Sequence, residues 1–391
     1  MYPHQAERLT SVLEREGLEA LIASAPENIA YVTGFRSLSQ AIYRRTPLFA
    51  VFARSGTALV VPVIDVAAVA AASVDAGHVL AYGEFFFDYH EAPGDLGRRV
   101  RDWTASPSPS AADALARALE TLGVRRGPVG LDDGHLAFDA WHRAGERLAP
   151  MKVIAAGTHF AESRMVKSPY ELETVERALH AAEEAANQVV QALAPGMTER
   201  EAVALYERAL RERDASAYVT IIAFGDRSAI PAPYPSDRAL KPGDLVRLEL
   251  GAALRGYCAH VARTAVAGAA TARHESLHRS IQMGVEAAID AIKPGVRADR
   301  VFDAAVAATR EHGLPDYRRH HVGHGIGLEP YEPPVFAAGD DTELEPGMVV
   351  RVEAPYYLIG WGGMNLMETV LVIRGGGRVM NRSARGLVVL D

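Results

Sequence analysis

The C-terminal half of the chain contains an internal repeat. Residues 241–249 (KPGDLVRLE) match residues 345–353 (EPGMVVRVE) at an offset of 104 residues. A Pro-Gly turn at 195–196, which precedes a helix, recurs at 294–295, an offset of 99 residues. The period is too long for a solenoid, so we expect two copies of a helix-helix-strand-strand unit packed as one domain.

The repeat places a glutamate at the end of each matching strand, Glu249 in the first copy and Glu353 in the second. Side chains alternate between the two faces of a strand, so Arg247 shares a face with Glu249, and Arg351 shares one with Glu353. If a pseudo-two-fold axis relates the copies, we expect the two glutamates to face each other across it.

Each of these strands leads, through a connection that contains glycine, to a second strand with one polar residue in apolar surroundings. Burying a carboxylate is costly unless it is paired, protonated or bound to a metal. The segment 320–328 (HHVGHGIGL) adds imidazoles, and its glycines allow close backbone approach. Imidazoles and carboxylates are suitable ligands for Zn²⁺, Mn²⁺ or Fe²⁺. The sequence therefore predicts one polar site formed by Glu249, His260, His324, Glu353 and Glu368.

Structural roles are the alternative for each of these residues. His324 could be a core histidine with its hydrogen bonds satisfied. Glu353 and Glu368 could form ion pairs with Arg351 or Arg263, and the residues of the first hairpin could reflect loss of function.

The N-terminal part of the chain shows alternating helix and strand patterns, including a helix over 4–17 and a β-hairpin over 48–63. This alternation predicts an α/β domain. We expect no chemical site there, and we interpret His78, Asp132 and Asp133 as ordinary surface or turn residues.

The composition limits the class of protein. A chain of 391 residues suits two domains. The single cysteine, Cys258, cannot form an intrachain disulfide and fits a reducing compartment, so we expect a cytoplasmic protein. We expect neither a signal peptide nor a membrane span. The net charge is -8 and no basic stripe is present, so we do not expect nucleic acid as a partner.

These motifs resemble the superfamily of Xaa-Pro peptidases, methionine aminopeptidases and creatinases, whose duplicated domain has the pita-bread fold. The frame of the first hairpin is shared through Gly251, Gly256, Tyr257, Arg263 and Thr264. The resemblance implies an α/β (α+β) chain with a creatinase-type N-terminal domain over 1–158 and a pita-bread catalytic domain over 159–391.

The resemblance also implies metal ligands, with two departures. His324, Glu353 and Glu368 match the metal histidine and the two glutamates of the family, whereas Glu249 and His260 stand where the family has aspartates. An aspartate-to-histidine change removes a bridging oxygen, and a bridged pair of ions needs shared carboxylates. We therefore expect one divalent ion (Zn, Mn, Fe or Co) per subunit rather than two.

The substrate-contacting positions depart further from the family. Ala232 stands in place of a histidine, Tyr331 in place of another, and Asn365 in place of an arginine, whereas His320 is retained. The resemblance implies that His320, Tyr331 and Asn365 contact substrate.

We therefore expect a metal-dependent hydrolase of a peptide C–N bond, similar to Xaa-Pro dipeptidases and aminopeptidases, acting on a small peptide as a homodimer. Glu353 would be the catalytic base, with His320 as a second catalytic candidate. The alternatives are a metal-free, creatinase-like amidinohydrolase and a non-catalytic pseudo-peptidase that binds a ligand.

Overall fold

The computed structural model describes residues 2–43, 45–72, 74 and 76–390. The chain divides into two compact units, the first ending at Arg164 and the second beginning at Met165. The predicted boundary, between residues 158 and 159, lies earlier, inside the helix Gly157–Met165.

Helices and strands alternate in the first unit, as the sequence predicts. Its helices are α1 (Pro3–Glu16), α2 (Pro26–Thr33), α3 (Leu38–Ile42), α4 (Val66–Ala71), α5 (Gly94–Thr104), α6 (Ala111–Thr121), α7 (Phe138–Leu148) and α8 (Gly157–Met165). Its strands are β1 (Ala20–Ala23), β2 (Phe49–Ala53), β3 (Gly56–Pro62), β4 (His78–Tyr82), β5 (Val129–Leu131) and β6 (Val153–Ala155). They form one mixed sheet in the order β4-β3-β2-β1-β5-β6. The antiparallel pairing of β2 with β3 confirms the predicted hairpin.

The structure corrects the interpretation of Asp132 as an ordinary surface or turn residue. Asp132 is not a surface residue, because its side chain is fully buried after β5. Its Oδ2 accepts hydrogen bonds from the backbone N–H of Ser24 and Ala25, at 3.1 and 2.8 Å, and from Asn28 Nδ2 at 2.7 Å. The carboxylate therefore satisfies N–H groups at the start of α2, where a negative charge also complements the helix dipole.

We predict that Asp132→Ala destabilises the first unit by about 2–3 kcal/mol, because buried donors lose a charged acceptor. Hydrogen-exchange mass spectrometry of the peptide containing residues 24–33, together with urea denaturation, measures the change. Asp133→Ala is the control, since Asp133 is exposed and accepts one described hydrogen bond, from Gly157 N at 2.9 Å. Equal stability of the two variants would contradict the prediction.

The second unit contains four α-helices and a large sheet within the described residues. Its helices are α9 (Pro169–Ala192), α10 (Glu199–Arg211), α11 (Ala272–Ala291) and α12 (Ala298–Glu311). Its strands are β7 (Ser216–Phe224), β8 (Leu245–Leu254), β9 (Tyr257–Ala267), β10 (Gly323–Gly325), β11 (Glu332–Val335), β12 (Val349–Glu353), β13 (Tyr356–Leu358), β14 (Gly362–Met364), β15 (Met367–Ile373), β16 (Gly376–Val379) and β17 (Val388–Leu390).

The predicted repeat is present in this unit. The first copy runs α9, α10, β8, β9 and the second runs α11, α12, β12, β15, within a sheet ordered β11-β10-β12-β15-β9-β8-β7. The copies meet where β15 pairs with β9. The second return strand is shorter than predicted, because residues 362–364 pair with β13 in a separate small sheet.

Helices cover one face of the large sheet. Leu248 and Leu250 of β8 pack in a core with α9 and α10, and Val350 and Val352 of β12 pack in a second core with α11 and α12. Burial of each such aliphatic side chain stabilises the folded state by about 1.5–3 kcal/mol. Strand alternation then directs the Arg-x-Glu residues of both strands to the opposite face.

None of the helices in the described part of the chain combines the length and the apolar composition that a membrane span requires.

A buried ion pair fixes the segment that follows β10. Lys167 Nζ lies 2.9 Å from Glu332 Oε2, and both side chains are almost fully buried. Glu332 Oε1 also accepts a hydrogen bond from Glu329 N at 3.1 Å. The pair therefore ties β11 to the residues that precede α9.

We predict that Lys167→Met or Glu332→Leu alone lowers the free energy of unfolding by about 3–5 kcal/mol, because each leaves a buried charge without its partner. The double variant should lose less than the sum of the single losses. Urea denaturation followed by circular dichroism gives the three values, and additive losses would contradict the prediction.

Candidate active site

The sheet face opposite the helices carries a row of side chains that spans both copies. Glu249 on β8 lies opposite Ala262 on β9, Ala262 lies opposite Met367 on β15, and Met367 lies opposite Glu353 on β12. The two glutamates of the repeat therefore lie at the two ends of one cross-strand row.

A second row contains an arginine between two imidazoles. Arg351 Nε lies 2.7 Å from His324 Nε2, and Arg351 Nη1 lies 2.7 Å from His260 Nδ1. Nη1 is also 3.1 Å from Met367 Sδ and 3.9 Å from Glu353 Oε2. All five side chains are buried, so this guanidinium is a cation inside the protein rather than at its surface.

The two imidazoles are neutral acceptors toward this arginine. Burial lowers the pKa of His324 to about 2, and the charge of Arg351 acts in the same direction. Burial, followed by Arg351, also holds the pKa of His260 well below its ordinary value. His324 Nδ1 lies 2.7 Å from the Gly325 carbonyl oxygen, so Nδ1 carries the proton and Nε2 presents its lone pair.

Glu249 is paired with the arginine of its own strand. Arg247 Nη1 lies 2.8 Å from Glu249 Oε2, and His260 Nε2 lies 3.9 Å from Oε1. Burial raises the pKa of Glu249, and the nearby Glu353 carboxylate raises it further, while Arg247 opposes both. Glu249 therefore retains a proton more readily than an exposed glutamate.

The carboxylate of Glu353 has no described hydrogen-bond donor. His321 Nδ1 lies 3.5 Å from Oε1, but this nitrogen accepts a hydrogen bond from Gly323 N at 3.2 Å. Burial lowers the pKa of His321 to about 4, although Glu353 opposes the change. The carboxylate of Glu353 thus has lone pairs available to a water molecule.

The structure separates Glu368 from the other predicted site residues. It lies opposite Val352 and so faces the helices, whereas its neighbour Met367 occupies the site face. Glu368 Oε1 lies 2.8 Å from Arg263 Nη2, and Oε2 lies 3.6 Å from Arg385 Nε. This corrects the predicted grouping and matches the structural alternative, an ion pair with Arg263.

The three predicted substrate contacts lie around this face and stay predictions. His320 is exposed, with its ring centroid 4.3 Å from that of His321. Tyr331 is 48% exposed, and its ring centroid lies 3.7 Å from that of His324. Asn365 is buried, with Nδ2 3.4 Å from Glu249 Oε2.

The predicted ligands do not fit a metal ion in this arrangement. Among the residues that the structure describes, no three histidine, cysteine, aspartate or glutamate side chains are grouped as an ion would require. Both imidazole acceptors face Arg351, and the carboxylates of Glu249 and Glu368 contact Arg247 and Arg263.

Sequence reasoning did not anticipate the central position of Arg351. The signal was present, because an arginine precedes each repeat glutamate by two residues on the same face. Its two imidazole partners lie 27 and 91 residues away in the chain, so only the strand register identifies them.

A cavity of about 350 Å³ is lined by residues that follow Glu353 along the chain and by residues that follow α12. The ring of Tyr357 lies there between two guanidinium groups, 5.2 Å from Arg247 and 5.7 Å from Arg319. Burial raises the pKa of Tyr357 to about 12, and the charges of Glu249 and Glu353 contribute to the shift. Neither glutamate of the repeat lines this cavity, although the charges of both act on the Tyr357 hydroxyl inside it.

Comparison with protein families matches both units. Residues 173–374 match metallopeptidase family M24, and residues 5–166 match the creatinase/prolidase N-terminal domain. These two matches agree with the predicted order of domains.

Curated relatives give the same result. The chain is 33% identical to an Xaa-Pro dipeptidase from Pyrococcus furiosus over 276 residues, which cover 70% of this chain and 77% of the relative. It is 28% identical to a probable dipeptidase PepE from Mycobacterium tuberculosis over 376 residues, covering 96% and 92% of the two chains.

Solved structures share the fold. An X-Pro aminopeptidase from Thermotoga maritima matches with a TM-score of 0.81 at 24% identity, covering 98% of this chain and 99% of the other. A prolidase from Pyrococcus furiosus matches with a TM-score of 0.76 at 23% identity, covering 96% and 99%. The predicted fold class and the predicted enzyme class, a hydrolase of the metallopeptidase type, are thereby confirmed. The chain belongs to metallopeptidase family M24 and carries the creatinase/prolidase N-terminal domain in front of it.

Proposed function

We propose that this chain hydrolyses the C–N bond of a small peptide, in the manner of an Xaa-Pro dipeptidase. The observation that carries the proposal is the pair of repeat glutamates on one buried face, one with available lone pairs and one with a raised pKa. Paired carboxyl groups whose environments differ can act as base and acid. The relatives named Xaa-Pro dipeptidase and dipeptidase supply the substrate class.

Glu353 is the proposed base. It takes a proton from water while the water oxygen bonds to the peptide carbonyl carbon. The C–N bond then breaks, and the proton passes to the leaving nitrogen, so the products are a carboxylic acid and an amine. Glu249, which retains a proton more readily, is the proposed proton donor to the same intermediate.

Membership of family M24 implies a divalent metal cofactor. The identity of the ion, among Zn, Mn, Fe and Co, and its number per subunit stay predictions. Because the described donors do not form a metal shell, the proposed steps use only groups of the chain. The predicted homodimer and the predicted cytoplasmic location also stay predictions, and the comparisons give no support to an amidinohydrolase or a pseudo-peptidase.

We predict that the protein hydrolyses Xaa-Pro dipeptides and that Glu353→Gln lowers kcat by about 10²–10⁴-fold, since general-base assistance is lost. Product release from matched Xaa-Pro and Xaa-Ala dipeptides, followed by chromatography, is the measurement. Glu343→Gln is the control, because Glu343 is an exposed glutamate outside the site face. No hydrolysis of any dipeptide, or a Glu353→Gln variant with wild-type kcat, would refute the proposal.

Arg319 is the proposed contact for the carboxylate of the dipeptide. It lines the cavity that contains Tyr357, and its Nε has no hydrogen-bond partner among the described residues. Guanidinium groups bind carboxylates with charge-assisted hydrogen bonds.

We predict that Arg319→Ala raises KM about 10–100-fold for dipeptides with a free carboxylate, the equivalent of one lost charged hydrogen bond. Dipeptide amides should show little change, because they lack the charge. Arg300→Ala is the control, since Arg300 is an exposed arginine on α12. A similar KM increase for acids and amides would count against a carboxylate contact.

A further inference from the structure

Two imidazole lone pairs point at one guanidinium in the candidate active site. A guanidinium has only N–H donors, so the ring nitrogens that it contacts must be acceptors. They are His324 Nε2, 2.7 Å from Arg351 Nε, and His260 Nδ1, 2.7 Å from Arg351 Nη1. The Gly325 carbonyl sets the required tautomer of His324 by accepting from Nδ1 at 2.7 Å.

A metal ion would need the same two lone pairs. Histidine binds Zn²⁺ through the lone pair of a neutral ring nitrogen, about 2.0–2.1 Å from the ion. The guanidinium nitrogens lie on those lone pairs, so Arg351 and an ion cannot bind the two rings at once. The two cations are therefore alternatives for one position.

The remaining neighbours fit a guanidinium better than a transition metal of this family. Met367 places a thioether 3.1 Å from Arg351 Nη1, on the site face where a carboxylate ligand would be needed. A thioether is a soft, uncharged ligand, whereas Mn²⁺ favours carboxylate oxygens. Glu249 already contacts Arg247 at 2.8 Å, which leaves Glu353 as the carboxylate facing Arg351, at 3.9 Å.

The charge of Arg351 is permanent. Arginine stays protonated in proteins, so burial cannot remove its charge as it does for histidine. Among the hydrogen bonds described for Arg351, those to other side chains come from Nε and Nη1. Nη2 is thus the nitrogen left to meet a polar group of a bound molecule.

We propose that the Arg351 guanidinium takes the place of the divalent ion in this chain, as the permanent cation of the site. The catalytic role of Arg351 rests on the proposed peptidase function. In that reaction the guanidinium stabilises the negative charge that develops on the peptide carbonyl oxygen. Exclusion of the ion itself does not depend on the substrate.

Metal loading tests the proposal without any substrate. The purified full chain is incubated with Zn²⁺ or Co²⁺, passed through a desalting column, and analysed by inductively coupled plasma mass spectrometry. We expect less than about 0.1 equivalent on the wild type and about one equivalent on Arg351→Ala, whose two imidazoles and Glu353 become free to bind. Arg351→Ala/His324→Ala should lose the ion again. Arg247→Ala, which removes a different buried arginine from the same face, should not gain one.

Two results would overturn the proposal. One is a wild-type chain that retains about one equivalent of metal and releases it on His324→Ala substitution. The other is an Arg351→Ala variant, folded by circular dichroism, that binds no more metal than the wild type. Arg351→Leu, which keeps an apolar side chain in the space, provides the same readout if the alanine variant does not fold.

A kinetic measurement addresses the catalytic part separately. Dipeptide hydrolysis by the wild type should be unchanged in excess chelator, whereas loss of activity that Zn²⁺ or Mn²⁺ restores would overturn the proposal. If no dipeptide is hydrolysed, the peptidase function fails, and the metal-loading result still decides whether Arg351 keeps the ion out.

Discussion

The pairing of β9 with β15 joins the two copies of the repeat, and the composition of the site depends on it. Once Met367 lies opposite Ala262, the register places Glu249 and Glu353 in one row on the face away from the helices. A shift of one residue would exchange every side chain between the faces, because side chains alternate along a strand. The same register that places the two glutamates on one face sends Glu368 to the helix face.

Charge compensation is the second constraint on this sheet. Three buried or largely buried carboxylates, those of Glu249, Glu353 and Glu368, each have an arginine within 4 Å. A buried charge without a partner is strongly destabilising, so these pairs are a condition for folding as well as for chemistry. Glu183 of α9 places a second carboxylate near Arg263, with Oε1 3.8 Å from Nη2, and it also accepts hydrogen bonds from the backbone N–H groups of Arg382 and Ser383.

The sequence predicts the features that depend on local patterns. The repeat and the shared face of Arg247 and Glu249 both follow from short segments, and the structure contains them. The features that it does not predict depend on partners distant in the chain. Asp132 has the composition of a turn residue, but it is buried by residues more than 100 positions earlier.

At the site, the contacts of Glu368 and Arg351 likewise could not be predicted from local sequence patterns. A glutamate in an apolar strand indicates burial but not the face on which it is buried, and the adjacent Met367 turned out to be the residue directed at the site. For Arg351, the strand pattern gives the face, whereas the imidazoles that accept its hydrogen bonds come from β9 and β10. No local pattern encodes those contacts, because they arise from sheet order.

The Arg-x-Glu pattern of β8 and β12 has a consequence for how the duplicated domain can assemble. Each arginine lies two positions before its glutamate on the same strand, so the opposite charges are already neighbours in an extended segment. The charge of each glutamate is therefore compensated within its own strand, without a contribution from the other half of the domain. The helices of each half pack on the other face of its strand, so they do not disturb this pairing, and the junction between halves is left to match shape and register.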